Sequence, residues 1–184
     1  MAKSVLLTTM LAAFLSAATA AQGQDATGGQ TTQAGKATLS KADREFVEEA
    51  ALGGLVEVRL GQLAQQRAAS PEVKSFGQRM IDDHSAVNKR LAELAQRKGV
   101  LVPKELDQKH REKVDELSKK TGDDFDRAYM SEMVDDHEHD IKAFEKASKE
   151  AKDADLKSFA AGTLPKLREH LAQARQIHGK VKGK

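Results

Sequence analysis

Ser70-Pro71-Glu72-Val73-Lys74-Ser75-Phe76-Gly77-Gln78-Arg79-Met80-Ile81-Asp82-Asp83-His84 is the stretch that decides the fold. A serine hydroxyl serves a helix N-cap well, and proline at the first helical position has its φ preset and no N–H to lose. From there Val73, Phe76, Met80, Val87, Leu91 and Leu94 recur at three- and four-residue steps. Such a stripe predicts an amphipathic helix that closes at Lys98-Gly99.

Working upstream, Phe46, Ala50, Gly54, Gly61 and Ala64 form a comparable stripe over Lys41 to Ala69, so Ser70-Pro71 is the turn of a tight antiparallel hairpin. Downstream, Met130, Met133, Val134, Ile141 and Phe144 predict a third long helix from about Asp123 to Lys149. Leu156, Phe159, Leu167, Leu171, Ala174 and Ile177 predict a fourth from about Asp153 to His178. Pro165 lies inside this last pattern, where it removes a backbone hydrogen bond, and a bend near Thr163 is expected. Between the hairpins, Pro103 precedes a shorter amphipathic stretch, Asp107 to Lys119 with Val114 and Leu117, ended by Thr121-Gly122. A link that long and bearing a helix suits a bundle with one crossover connection, as in ferritin-like folds, whereas an up-and-down bundle uses a short turn. The expected fold is therefore all-α: a ferritin-like antiparallel four-helix bundle over residues 40–179, with a helix-bearing crossover between helices two and three and a solvated basic tail at 180–184.

Composition agrees. Aromatic residues make up 4% of the 184 residues and tryptophan is absent, which suits closely packed helices better than a sheet sandwich. The absence of cysteine excludes disulfides, thiolate ligands, cysteine nucleophiles and a lipid-modified N-terminal cysteine. Lys3, the apolar run Val5 to Leu15 and the small residues Ala18-Thr19-Ala20 read as a signal peptide over residues 1–20, too short for a membrane span, which needs roughly 20 apolar residues. Residues 21–39, rich in Gln, Gly, Thr and Ala, read as a disordered tether. The mature chain is thus expected in the periplasm with no membrane span. Taking Lys3 away with the leader reduces the 30 basic residues to 29, against 28 acidic ones, which gives no electrostatic case for nucleic acid or an anionic membrane.

Four residues break the apolar stripes. Met80-Ile81-Asp82-Asp83-His84 on the second helix is echoed by Met133-Val134-Asp135-Asp136-His137 on the third, which puts His84 and His137 in equivalent settings. At about 100° per residue both fall on their core faces, as does His170 beside Thr163, Leu167 and Ala174, and Glu57 beside Gly54 and Gly61. Glu57 precedes the Ser70 turn by 13 residues and His84 follows it by 14, so both sit about 20 Å from that turn at 1.5 Å per residue. Four inward ligands at one level, Glu57, His84, His137 and His170, could enclose a transition metal ion, with iron, zinc or copper suited better than magnesium or calcium. Asp83, Asp136 and Asp140 at the stripe edges are candidates to orient the rings. Gly53, Gly54 and Gly61 each cost roughly 1 kcal/mol inside a helix, which calls for close helix approach or ligand space beside Glu57. Met80, Met130 and Met133 read as core filler. The competing reading keeps the same residues as a metal-free buried polar network in an envelope or stress-related bundle that binds a protein partner and needs no cofactor.

The string Gly53 to Gly61 (Gly-Gly-Leu-Val-Glu-Val-Arg-Leu-Gly), then Val73-x-x-Phe76 with Met80-x-x-Asp83-His84, then Phe125-Asp126-Arg127-x-Tyr129, then Phe159-Ala160 with Leu164-Pro165-x-Leu167-x-x-His170-Leu171 resembles the bacterial secreted family known as domain of unknown function 4142. The resemblance spans about residues 42 to 178. It implies a ferritin-like four-helix fold and export across the inner membrane, and it implies no established activity. Ferritin-like di-iron proteins carry Glu-x-x-His pairs, whereas Ile81 and Leu167 stand three before His84 and His170, which argues against a di-iron centre. An outer-membrane label, common in this family, finds no alternating strands to support a barrel. Neither a partner nor a substrate is legible, and assembly into a homo-oligomer through helix faces stays open.

Overall fold

The computed structural model describes residues 39–183; the expected signal peptide and all of the expected tether but Leu39 lie outside them. Leu39 itself is 4% exposed and packs with Val47, Leu94 and Leu156.

Four long helices and one short one follow in chain order: α1 Lys41–Arg67, α2 Pro71–Arg97, α3 Gln108–Ser118, α4 Gly122–Glu150 and α5 Ala154–Val181. Each start has a local cause. Ser40, Asp107 and Asp153 accept hydrogen bonds from the first backbone N–H groups of α1, α3 and α5, and Pro71 opens α2. Gly99, at φ 72°, ends α2 in a Schellman turn, with Gly99 N–H donating to Gln96 O and Val100 N–H to Ala95 O. α5 runs unbroken through Pro165. Thr163, whose hydroxyl donates to Phe159 O, is buried in the same stretch. Among the described residues no helix is long and apolar enough to cross a membrane.

The chain is a helical bundle in which α1 packs on α2 and α4, and α5 packs on α4 and α2. Two buried aspartates fix how the hairpins meet. At one end Asp126, near the start of α4, accepts from Ala69 and Ser70 N–H at 3.1 and 2.8 Å, closing the α1–α2 turn onto α4. At the other end Asp43 in the first turn of α1 accepts from Lys152 and Asp153 N–H, closing the α4–α5 turn onto α1. Lys98, just past α2, reaches Asp153 and Asp155 at 2.7 Å at that same end. α2 therefore finishes at the end opposite to where α4 begins, and the intervening segment travels the length of the bundle. α3, carried on that segment, lies against α1 and α4.

The core splits into two apolar parts. One gathers Leu60, Phe76, Met80, Tyr129, Met133 and Ile177 toward the α1–α2 turn. The other gathers Val47, Leu91, Phe144, Leu156, Leu164 and Leu167 toward the α4–α5 turn. Of the expected α1 stripe, Gly54, Gly61 and Ala64 are buried, joined by Val47, Ala51, Val56 and Leu60, while Phe46 and Ala50 are only partly covered. Between the two apolar parts lies a polar layer of His84, His137, His170 and Glu57, all at most 5% exposed.

Candidate metal centre

The three histidines come from α2, α4 and α5 and form a near-equilateral triangle, with ring centroids 5.6, 5.4 and 5.3 Å apart. Each offers one nitrogen such that the three lie within 4.8 Å of one another.

Hydrogen bonds decide where the ring protons sit. Nδ1 of His137 is 2.8 Å from the Met133 carbonyl, which can only accept, so Nδ1 carries the proton. Nε2 of His170 is 2.8 Å from Oδ2 of Asp83, so Nε2 carries the proton there. Burial works against the Asp83 charge, but hydrogen bonds from His170 and Arg79 outweigh it and hold the carboxyl below its ordinary range. What remains is Nε2 of His137 facing Nδ1 of His170 at 3.3 Å, a lone pair on each. Two neutral rings in these tautomers repel, and a cation between them turns the repulsion into binding. On the third ring, Nε2 of His84 is buried with no hydrogen-bond partner and is open to such a cation.

A proton is a poor candidate for that cation. Burial, and then the neighbouring rings, push His84 well below the usual histidine range, and burial with His170 brings His137 down to about 4. Burial lowers His170 too, opposed by Asp83. A metal ion is a better match: ligand nitrogens at about 2.0–2.1 Å from a tetrahedral ion stand about 3.3 Å apart, the His137–His170 separation.

The other expected residues fall elsewhere. Glu57 is buried, but it does not belong to the close triangle; its Oε1 is 3.7 Å from Nδ1 of His137, the ring nitrogen turned away from His170. Glu57 instead stands against α4 and at the wall of a cleft. Both of its oxygens are buried without a hydrogen-bond partner, and burial, then Asp136 and Asp140, raise its carboxyl well above the usual range. Asp83 does orient a ring. Asp136 instead pairs with Lys113 of α3, and Asp140 lines the cleft, with its carboxyl pushed up to about 7 by burial and by Asp136. The glycines divide likewise. A Cβ on Gly61 would stand 2.6 Å from the Gly77 carbonyl, so close approach of α2 requires it, and one on Gly54 would meet the Asn88 amide, whereas Gly53 faces the cleft with room to spare. Asn88, a turn beyond His84 with an unpartnered Oδ1, was not singled out by the sequence, and Tyr129, whose hydroxyl is also unpartnered, was read only as part of a motif. The glycine gap opposite Asn88 was the one available signal.

Comparisons with known proteins place the fold. A fragment of a DUF305 protein from Deinococcus radiodurans superposes with a TM-score of 0.68 at 12% identity, over 78% of this chain and 99% of that one. CopM in its Cu(I)-bound form superposes at 0.64 with 17% identity, over 75% and 96%, and in its Ag-bound form, obtained by soaking, at 0.62 with 18% identity, over 75% and 95%. No curated protein matches the chain in sequence. The separated motifs around Glu57, His84, Tyr129 and His170 are accounted for by a family profile that matches residues 28–177, and the chain belongs to that family, the domain of unknown function DUF4142.

Proposed function

We propose that this chain is an exported, periplasmic bundle of ferritin-like topology that binds one transition metal ion on His84, His137 and His170. The observation that carries this reading is the pair of opposed lone pairs at 3.3 Å together with the orphaned Nε2 of His84, all in a buried layer. Three neutral, buried imidazoles in a chain without thiolates suit copper, with zinc or iron as weaker fits. The copper- and silver-bound states of the structurally similar CopM support that choice of ion. Asp83, hydrogen-bonded to His170, supplies a countercharge and fixes the ring. The hairpin pairing and the lengthwise α2–α4 link support the ferritin-like assignment.

One observation favours the metal-free alternative. The run from Met133 O through His137 and His170 to Asp83 is already continuous and could be closed by a shared proton. In that reading the layer is structural and the bundle acts through a protein partner. Elemental analysis of untagged protein, beside His84→Ala and His137→Ala variants checked for folding by circular dichroism, separates the two. About one metal ion per chain, lost in folded variants, is expected. Metal-free wild-type protein whose variants simply melt lower would overturn the proposal.

A further inference from the structure

The two faces of the histidine layer differ in charge. On the α2–α5 face the way in is closed by cations: Arg79 reaches Asp83, Glu169 and Gln173, and Lys166 stands 3.4 Å from Asp83. On the opposite face α1, α3 and α4 enclose a cleft of about 610 Å³ whose walls include Glu45, Glu48, Glu49, Asp136 and Asp140. Lys113 and Lys109 are its lysines, and Lys113 is already engaged by Glu132 and Asp136.

Glu57 lies at the inner wall of this cleft. It is 1% exposed, and neither carboxylate oxygen has a hydrogen-bond partner. Burying a carboxyl so completely without a partner is costly unless something is received there. Beyond it stands His137, with Nδ1 3.7 Å from Glu57 and Nε2 3.3 Å from Nδ1 of His170. A single imidazole thus spans from the cleft to the histidine triangle. Gly53 leaves the wall beside Asp140 bare, with the nearest atom to a built Cβ being Asp140 Oδ1 at 3.8 Å.

We infer that the cleft is a capture site for a divalent transition cation, held first by Glu57 and Asp140 and delivered to the three imidazoles by a swing of the His137 ring. The site rests on the three-histidine reading for its destination, but its own ligands are different residues. Oxygen donors with exchangeable waters hold such an ion loosely enough to release it, and three nitrogens then retain it. The swing breaks one hydrogen bond, from His137 Nδ1–H to Met133 O. The acidic walls raise the local cation concentration and the rate of arrival, an effect that salt weakens.

Tyr129 makes the loading visible. It is the single tyrosine, no tryptophan is present, and it is fully buried in the core next to this layer, so Cu(II) arriving at the centre quenches its emission. Stopped-flow mixing of Cu(II) with the full chain is expected to show loading at least ten times slower in Glu57→Gln and in Asp140→Asn, with the final copper per chain unchanged. Glu93→Gln, which removes an exposed charge on α2, should load like the wild type. Equal rates in all four proteins would overturn the capture site while leaving the histidine centre standing. A lower final copper content in Glu57→Gln would make Glu57 a resident ligand and also overturn it. Wild-type protein that takes up no copper would remove both proposals together.

Discussion

Metal affinity should fall by no more than about 30-fold between pH 7 and pH 5. Protons compete with the ion for each imidazole, so a histidine with the ordinary value of about 6.5 loses about 1.5 powers of ten of affinity at pH 5. Three such ligands together would lose about four to five powers of ten, some 6 kcal/mol at 1.36 kcal/mol per unit. The buried triangle behaves differently. With its value down to about 4, His137 is almost wholly neutral at pH 5, and His84 is pushed the same way by burial and by both other rings. His170 keeps the most proton affinity, because Asp83 opposes the effect of burial. At most one ordinary histidine then competes, which limits the loss to about 30-fold. Dissociation constants for Cu(II) at pH 7 and pH 5, from Tyr129 quenching against a buffered chelator, measure the ratio directly. A drop of ten-thousand-fold or more would mean that the rings are hydrated and ordinary, and the buried triangle would be refuted as the binding site.

Three further outcomes test the scaffold around the centre. Asp140 has its carboxyl raised in the fold, so the native state binds more protons than the unfolded chain from about pH 4 to 7 and loses stability as pH rises through that window. Asp140→Asn should therefore stabilise the metal-free protein at pH 8, on the order of 1–2 kcal/mol after screening by solvent in the cleft, and give no gain at pH 4, as read by urea midpoints. Asp126→Ala leaves the Ala69 and Ser70 N–H groups without their charged acceptor and should cost about 3 kcal/mol by the same assay; a loss below 1 kcal/mol would show that this clamp is dispensable. Gly61→Ala must force α1 away from the Gly77 carbonyl, 2.6 Å from the new methyl, and should lower the melting temperature despite better helix propensity, whereas Gly53→Ala, in ordinary contact only, should raise it.

The helices and the histidines were legible because both rest on short-range periodicity. Ser70-Pro71, Lys98-Gly99 and Thr121-Gly122 mark helix ends through local backbone chemistry, and observed ends fall within a few residues of the expected ones. His84, His137 and His170 each fall within the arc of a clear stripe, and all three are buried. Glu57 is a different case. Its stripe through Gly54, Gly61 and Ala64 does face inward, but helical phase tells that a side chain is buried and not which neighbour it meets, and the carboxyl stands against α4 and the cleft rather than among the three imidazoles. Asp136 and Asp140 lay at stripe edges, where the partner depends on α3, an element whose seating no periodicity specifies. Asp43 and Asp126 escaped notice as clamps because each answers backbone groups more than 50 positions away.

The same division bears on chemistry. Residues legible from helical phase alone hold the ion in the proposed centre, and residues whose placement needed the tertiary structure form its approaches: Glu57 and Asp140 on one side, Asp83 with Arg79 on the other. A four-residue ligand set with Glu57 inside would have put a carboxylate on the metal and favoured a harder ion. Glu57 behind His137 leaves an all-nitrogen triangle, and it turns the question of which ion is bound into a separate one from how an ion arrives. Variants at Glu57 and at His84 are therefore expected to differ in kind, the first changing the rate of loading and the second the amount of metal retained, and a shared phenotype would return Glu57 to the ligand set.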